Sequence, residues 1–281
     1  MNFEFTQEKN RVRSGIEAQI LQMVDQERKT SVTMESLPGE NWIFETSLHE
    51  KLVFKGIKTS FYCYERDDKL YRKLAKSVPK GIYSYTRADF CQAMDDIKQE
   101  KGLTDVVWAD YCGQPDFNTI GKPLQMFRHG AKLVYMTFCT NLRMQKKSMK
   151  SLLPDSVSKD VTKAIIEQAE AVLKKMQMTS KIRLVYLNSY VGIRAPMITI
   201  GFSKVNGITP IRHVRNKKTN ASKIDSKKVI KVYRSFGGRR NTSKEKLPTI
   251  TEKVAKELNL SKHQVAGVLA HHRNPNSWAN K

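Results

Sequence analysis

The chain has 281 residues, a formal net charge of +23, 40% hydrophobic residues and four cysteines. That apolar content supports a packed core and argues against wholesale disorder, and the length suits one large or two modest domains. No apolar run approaches the ~18 residues of a transmembrane helix, so no membrane partner is expected.

The cysteines, at 63, 91, 112 and 139, have no CxxC spacing. This speaks against a zinc site or a disulfide frame, so no metal is expected and reduced thiols in a cytoplasmic compartment are. The segment from Met1 to Asn10 is polar and carries acidic residues, without the basic-then-apolar layout of a signal peptide.

In chain order, residues 1–28 read as a helical segment, with Ile16, Ile20, Leu21 and Val24 on one face. A short strand at Ser31–Met34 runs into Glu35-Ser-Leu-Pro-Gly-Glu40, where Pro38-Gly39 signals a turn. Asn41–Leu52 has helical apolar spacing, with Asn41 placed to cap it. A second strand around Thr59–Tyr64 ends at Glu65-Arg-Asp-Asp68, and a helix around Lys69–Ser77 follows. The third strand, Ile82–Tyr85, ends at Thr86-Arg-Ala-Asp-Phe90, and 89–101 looks helical.

Asp105-Val-Val-Trp-Ala-Asp110 is a fourth strand, almost wholly apolar as a strand buried on both faces would be. Tyr111-Cys-Gly-Gln-Pro115 breaks it, and a short helix near Lys122–Phe127 leads to a fifth strand at Lys132–Phe138. Val157–Gln177 is a long helix with Val161, Ile165, Ala169, Val172 and Met176 in one stripe. Two further strands, Lys181–Tyr190 and Ala195–Lys204, form a closing hairpin. Alternating strands and helices predict a mostly parallel α/β sheet, whose binding crevice lies at the carboxyl ends of the strands.

The composition then changes. Residues 204–281 hold 19 Lys and Arg against 4 Asp and Glu, a net of +15, while residues 1–203 hold 31 against 23, a net of +8. That distribution points to a polyanion, nucleic acid first, and DNA is the partner expected ahead of RNA. Residues 205–246 read as a basic linker or arm, with one strand at Val229–Tyr233. In 247–281, Val254-Ala-Lys-Glu-Leu-Asn-Leu-Ser-Lys-His-Gln-Val265 resembles the first two helices of a helix-turn-helix. Ser261, Lys262, His263 and Gln264 would open its second helix and face bases, while Arg234, Arg239, Arg240 and Arg273 would meet phosphates.

Over roughly residues 30–204 the chain resembles a class I S-adenosylmethionine-dependent methyltransferase, a Rossmann-like family whose seven-stranded sheet ends in such a reversed hairpin. The resemblance implies S-adenosylmethionine as cofactor and a site at four strand ends. Glu35, Leu37 and Gly39 stand where the family has its glycine-rich loop, and Glu65 where an acid holds the ribose hydroxyls. Asp89 and Phe90 stand where the adenine is met, and Asp110 and Tyr111 where nucleic-acid methyltransferases place catalytic residues. Asp89 is also a natural helix N-cap, and Tyr111 suits stacking on a flat base or cofactor ring.

The first loop has one glycine, and Pro38 removes an amide donor from it. The fourth strand lacks the Asn/Asp-Pro-Pro-Tyr/Phe sequence of amino-directed DNA methyltransferases. Two functions therefore stand: methylation of DNA or RNA, and a non-catalytic, DNA-binding scaffold in transcription or replication.

Overall fold

The computed structural model describes residues 7–39, 41–94, 104–111, 113–140, 152–154, 157, 160–191, 196–214, 226–238, 243, 246–258, 262, 265–266 and 268–269. The chain divides into two compact units, 1–215 and 216–281.

The first unit alternates helices and strands: α1 Gln7–Glu27, β1 Ser31–Ser36, α2 Ile43–Phe54, β2 Lys58–Glu65, α3 Asp68–Leu74 and β3 Ile82–Arg87. It continues with β4 Val106–Asp110, α4 Phe117–Gln125, β5 Leu133–Cys139, α5 Val161–Lys175, β6 Arg183–Val191, β7 Pro196–Ser203 and β8 Ile211–Val214. Residues 90–94 are also helical. Asp residues start α3, α4 and α5, the helices that follow β2, β4 and β5. Asp67 accepts from Leu70 N at 2.8 Å, Asp116 closes a capping box with Thr119, and Asp160 accepts from Lys163 N at 3.1 Å. Each satisfies an amide that the first helical turn leaves open.

The sheet order is β3-β2-β1-β4-β5-β7-β6-β8. β1 to β5 are parallel neighbours, while β7 runs antiparallel to both β5 and β6. The expected mostly parallel, Rossmann-like methyltransferase sheet with its antiparallel hairpin is present. β8, parallel to β6 through Tyr186↔Ile211, is an additional eighth strand. Strand order reverses between β1 and β4, which places a crevice at their carboxyl ends.

Each face of the sheet has its own core. Val107, Ala109, Val134, Met136, Ile198 and Ile200 pack under α4 and α5. Val32, Met34, Phe61, Trp108 and Tyr135 pack under α1 and α2. Helix α1 is fixed by one buried amide side chain: Gln19 donates to Val185 O at 2.9 Å and Thr209 O at 2.8 Å, and accepts from the Tyr135 hydroxyl at 2.9 Å. Gly201 on β7 lets Tyr135 and Tyr186 close over the strand, since a Cβ there would lie 2.4 Å from Tyr135 Cδ1 and 2.8 Å from Tyr186 Cβ. Gly201→Ala is expected to lower stability by about 2 kcal/mol or more, read from the midpoint of urea unfolding.

The second unit differs from the sequence reading. Val229–Tyr233 is not a strand but the middle of α6, Ser226–Ser235. Val229 and Tyr233, four residues apart, share a helical face, and that spacing outweighs the β-branched composition. Both are buried against Val254 and Ala255 of α7, Leu247–Glu257, and against Val265 and Leu269. The stretch read as an arm therefore contributes a strand to the sheet of one unit and a helix to the core of the other.

Candidate functional site

The carboxyl ends of β1, β2, β3 and β4 bring together the chain segments that carry Glu35, Glu65, Asp89 and Asp110. Glu35 lies inside β1, opposite Tyr62 and Val107, not in the loop after it, because the strand runs two residues beyond Met34. It is fully buried, accepts from the Thr104 hydroxyl at 3.3 Å and is hydrogen-bonded to Tyr64. Burial first, then the negative Glu35, pushes the Tyr64 phenol upward. Glu35 is thus part of the protein interior. Leu37 packs on the core of the α4/α5 face, and the Gly39 carbonyl accepts from Trp42 N at 3.3 Å. Asn41 does not cap α2; its N-cap is Trp42, held at φ 54° with no side-chain cap.

Glu65 closes β2 half-buried, and its carboxylate accepts from Asp67 N at 2.7 Å. Burial raises its pKa above the ordinary carboxylate value, against the lowering effect of the Asp67 amide. The Tyr85 phenol feels its charge, and Tyr85 Oη is buried with no hydrogen-bond partner among the described residues. A carboxylate that closes the second strand half-buried suits a vicinal diol, so Glu65 fits the ribose of the implied cofactor, while the Tyr85 ring, stacked on Tyr71 and edge-on to Trp42, belongs to the α1/α2 core.

Asp89 fulfils its N-cap reading, since Oδ1 accepts from Cys91 N at 2.9 Å and Oδ2 lies 3.7 Å from Arg66. Phe90 is 3% exposed and meets Tyr64 and Tyr111 edge-on. Tyr111 stacks on Phe138 with centroids 5.7 Å apart, and its hydroxyl lies 3.3 Å from Cys91 Sγ. Burial holds that phenol well above its usual pKa. Its ring is therefore engaged with the core, and the face turned to Phe138 is closed to a ligand ring.

Asp110 is paired with a residue not anticipated from the sequence. Lys9 Nζ of α1 sits 2.9 Å from Oδ2, the two side chains being 14% and 8% exposed. Oδ1 is buried without a hydrogen-bond partner among the described residues. Close by, Glu45 of α2 accepts from the Ser36 hydroxyl at 3.0 Å, and Ser36 Oγ also lies 3.3 Å from Cys63 Sγ. Burial raises the Glu45 pKa to about 7, with Ser36 and Arg13 opposing and Asp110 adding to the shift. Burial likewise pushes the Cys63 thiol up. A cluster of charges therefore lies beneath the carboxyl ends of β1 and β4, on the α1/α2 side. Sequence reasoning had a signal for it, since Lys9 and Arg13 fall in the stripe with Ile16 and Ile20, and Glu45 lies three residues before Leu48. Charges on an apolar stripe are buried and partnered, or costly.

In the second unit Arg234 is exposed on α6, and Lys262, also exposed, pairs with Glu252 at 2.8 Å. Arg239, Arg240, Ser261, His263, Gln264 and Arg273, like Cys112, lie outside the described residues. Among the described residues no helix is long and apolar enough to cross a membrane.

No protein-family model matches the chain, and no curated protein does. Solved structures do. A fibrillarin/Nop5p complex aligns at 15% identity over 62% of this chain and 73% of that one, with a TM-score of 0.40. A probable spermidine synthase from Corynebacterium glutamicum aligns at 12% identity over 69% of this chain and 64% of its own, with a TM-score of 0.45. TrmK from M. capricolum, in complex with S-adenosyl-homocysteine, aligns at 11% identity over 86% and 93%, with a TM-score of 0.36. The fold rests on the chain's own strand order and on the reversed β7, which are those of a Rossmann-like methyltransferase sheet.

Proposed function

We propose that the first unit binds S-adenosylmethionine at the carboxyl ends of β1 to β4 and serves methylation of a nucleic acid, with DNA the first substrate to test. The observation that carries this reading is the Glu65 carboxylate at the carboxyl end of β2, the strand beside β1, where strand order reverses. Glu65 would hold the ribose, Asp89 and Phe90 would border the adenine, and Leu37 and Gly39 would form the floor beneath the cofactor. When bound, the cofactor supplies an electrophilic methyl group. The protein's part is orientation, and Asp110, with its unpartnered Oδ1, orients or deprotonates the accepting amine. Residues 216–281, with 16 Lys and Arg against 4 Asp and Glu, supply the affinity for phosphates.

Calorimetric titration of the full chain with S-adenosylmethionine tests the reading. Saturable binding is expected, and Glu65→Ala is expected to weaken it about tenfold or more by removing a charge-assisted hydrogen bond. No binding heat at millimolar cofactor would overturn it. One observation favours a second reading, a non-catalytic scaffold that binds DNA: the Lys9 ammonium already occupies Asp110 Oδ2. The scaffold reading expects nucleic-acid binding that ignores both Glu65→Ala and Asp110→Ala, with no cofactor heat.

A further inference from the structure

The opposite edge of the sheet has its own surface. α1 ends at Glu27 and α2 at Phe54, and β1 and β2 begin at Ser31 and Lys58, so these ends share the amino edge. Val24, Asp25, Arg28, Lys29, Lys55 and Ile57 line a cleft of about 380 Å³ there. The cleft continues into a row of cations. Lys58 N donates to Thr30 O at 3.0 Å, which puts Lys58 beside the start of β1. Lys132 directly precedes β5 and Lys204 directly follows β7, and Lys204 N donates to Lys132 O at 2.9 Å. Neighbouring strands stand ~4.8 Å apart, so Lys58 on β2 and Lys204 after β7 lie four strands, roughly 19 Å, apart along the edge, with Asp105 at the start of β4 between them.

Three of these six cations are neutralised. Lys29 pairs with Asp105, Lys55 with Asp25 at 2.7 Å, and Lys132 with Glu27 at 3.0 Å. Arg28, Lys58 and Lys204 are exposed and have no acidic partner among the described residues. At the cleft is a large apolar side chain with no packing role: Phe54, next in the chain to Lys55 of the cleft lining and four residues before Lys58, is 93% exposed. Its neighbour Val53 is 51% exposed. An exposed flat ring that adjoins in the chain a cleft lined by Arg28, with Lys58 just beyond it in the chain, is the arrangement that stacks an unpaired base while its phosphates meet the charges.

The geometry points to a single-stranded nucleic-acid site at the amino edge of the sheet, with Phe54 stacking a base and Arg28, Lys58 and Lys204 holding the backbone. It is separate from the crevice at the carboxyl ends and does not depend on cofactor binding there. A duplex fits it less well, because paired bases do not offer their faces to Phe54. The C-terminal unit gives the chain a second source of phosphate affinity, so the experiment must read stacking and charge separately.

The test measures anisotropy of a fluorescein-labelled oligothymidylate, and of a hairpin duplex of equal length, with the full chain at several salt concentrations. Phe54→Ala is expected to weaken the oligothymidylate about fivefold or more, to leave its salt dependence unchanged and to spare the duplex. Arg28→Gln/Lys58→Gln is expected to flatten the slope of log affinity against log salt for the oligothymidylate by ~1.4, about 0.7 for each phosphate no longer neutralised. All three substituted side chains are exposed, so thermal unfolding should match the wild type, and cofactor titration should read the same in every variant. Wild-type affinity in Phe54→Ala, an equal loss for the duplex, or an unchanged slope in the double variant would each overturn the site.

Discussion

Between pH 4.5 and pH 7 Glu45 is expected to remove about 3 kcal/mol of stability, a fall that Glu45→Gln is expected to spare. The unfolded chain has Glu45 at the ordinary carboxylate value of 4.5, and the folded protein raises it to about 7 because the side chain is buried. Below pH 4.5 both states hold the proton and Glu45 adds no pH dependence. Between the two values the unfolded chain releases the proton while the folded protein keeps it, so stability falls as pH rises. Above pH 7 both states are ionised and the full penalty is in place, at about 1.4 kcal/mol for every pH unit that separates the two values. Gln carries no charge to desolvate and can still bond the Ser36 hydroxyl that Glu45 meets at 3.0 Å. Urea unfolding at closely spaced pH values checks this. A Glu45→Gln curve with the same fall as the wild type would show that the burial penalty lies elsewhere.

The sheet was legible because its evidence is periodic. Val106-Val-Trp-Ala109 is apolar on both faces, as a strand covered on both sides must be, and it is the buried body of β4. The Lys181–Lys204 stretch signalled a hairpin and supplies the antiparallel pair β6 and β7. Strand length was harder to read. β1 continues through Glu35 and Ser36, and no local rule reveals that a Glu can extend a strand when Thr104 and Tyr64 stand ready to bond it. β8 is four residues long and gains its place from pairing with β6, far away in sequence order. The candidate site divides the same way. Asp89 was visible as a cap because capping is local, within three residues. The partner of Asp110 lies a hundred residues earlier, so no window around the fourth strand shows it.

Lys9→Met is expected to destabilise the protein by about 3 kcal/mol, more than its place near the start of the chain suggests. The substitution removes the cation from a pair whose members are 14% and 8% exposed, and strands a carboxylate whose other oxygen is already without a hydrogen bond among the described residues. Breaking a buried pair from one side leaves an uncompensated charge, whereas replacing both sides does not. Lys9→Met/Asp110→Leu should therefore recover to within about 1 kcal/mol of the wild type, a non-additivity that a double-mutant cycle reads directly. The same cycle bears on Glu45, whose raised pKa owes part to Asp110. Asp110→Asn should shift the Glu45 titration to lower pH and shrink the loss of stability between pH 4.5 and pH 7. Equal losses in the single and double variants would show that Lys9 acts through its aliphatic stem and not through its charge. If the pair is electrostatic, α1 supplies a charge that holds Asp110 at the carboxyl end of β4. A helix remote in sequence is then part of the candidate site.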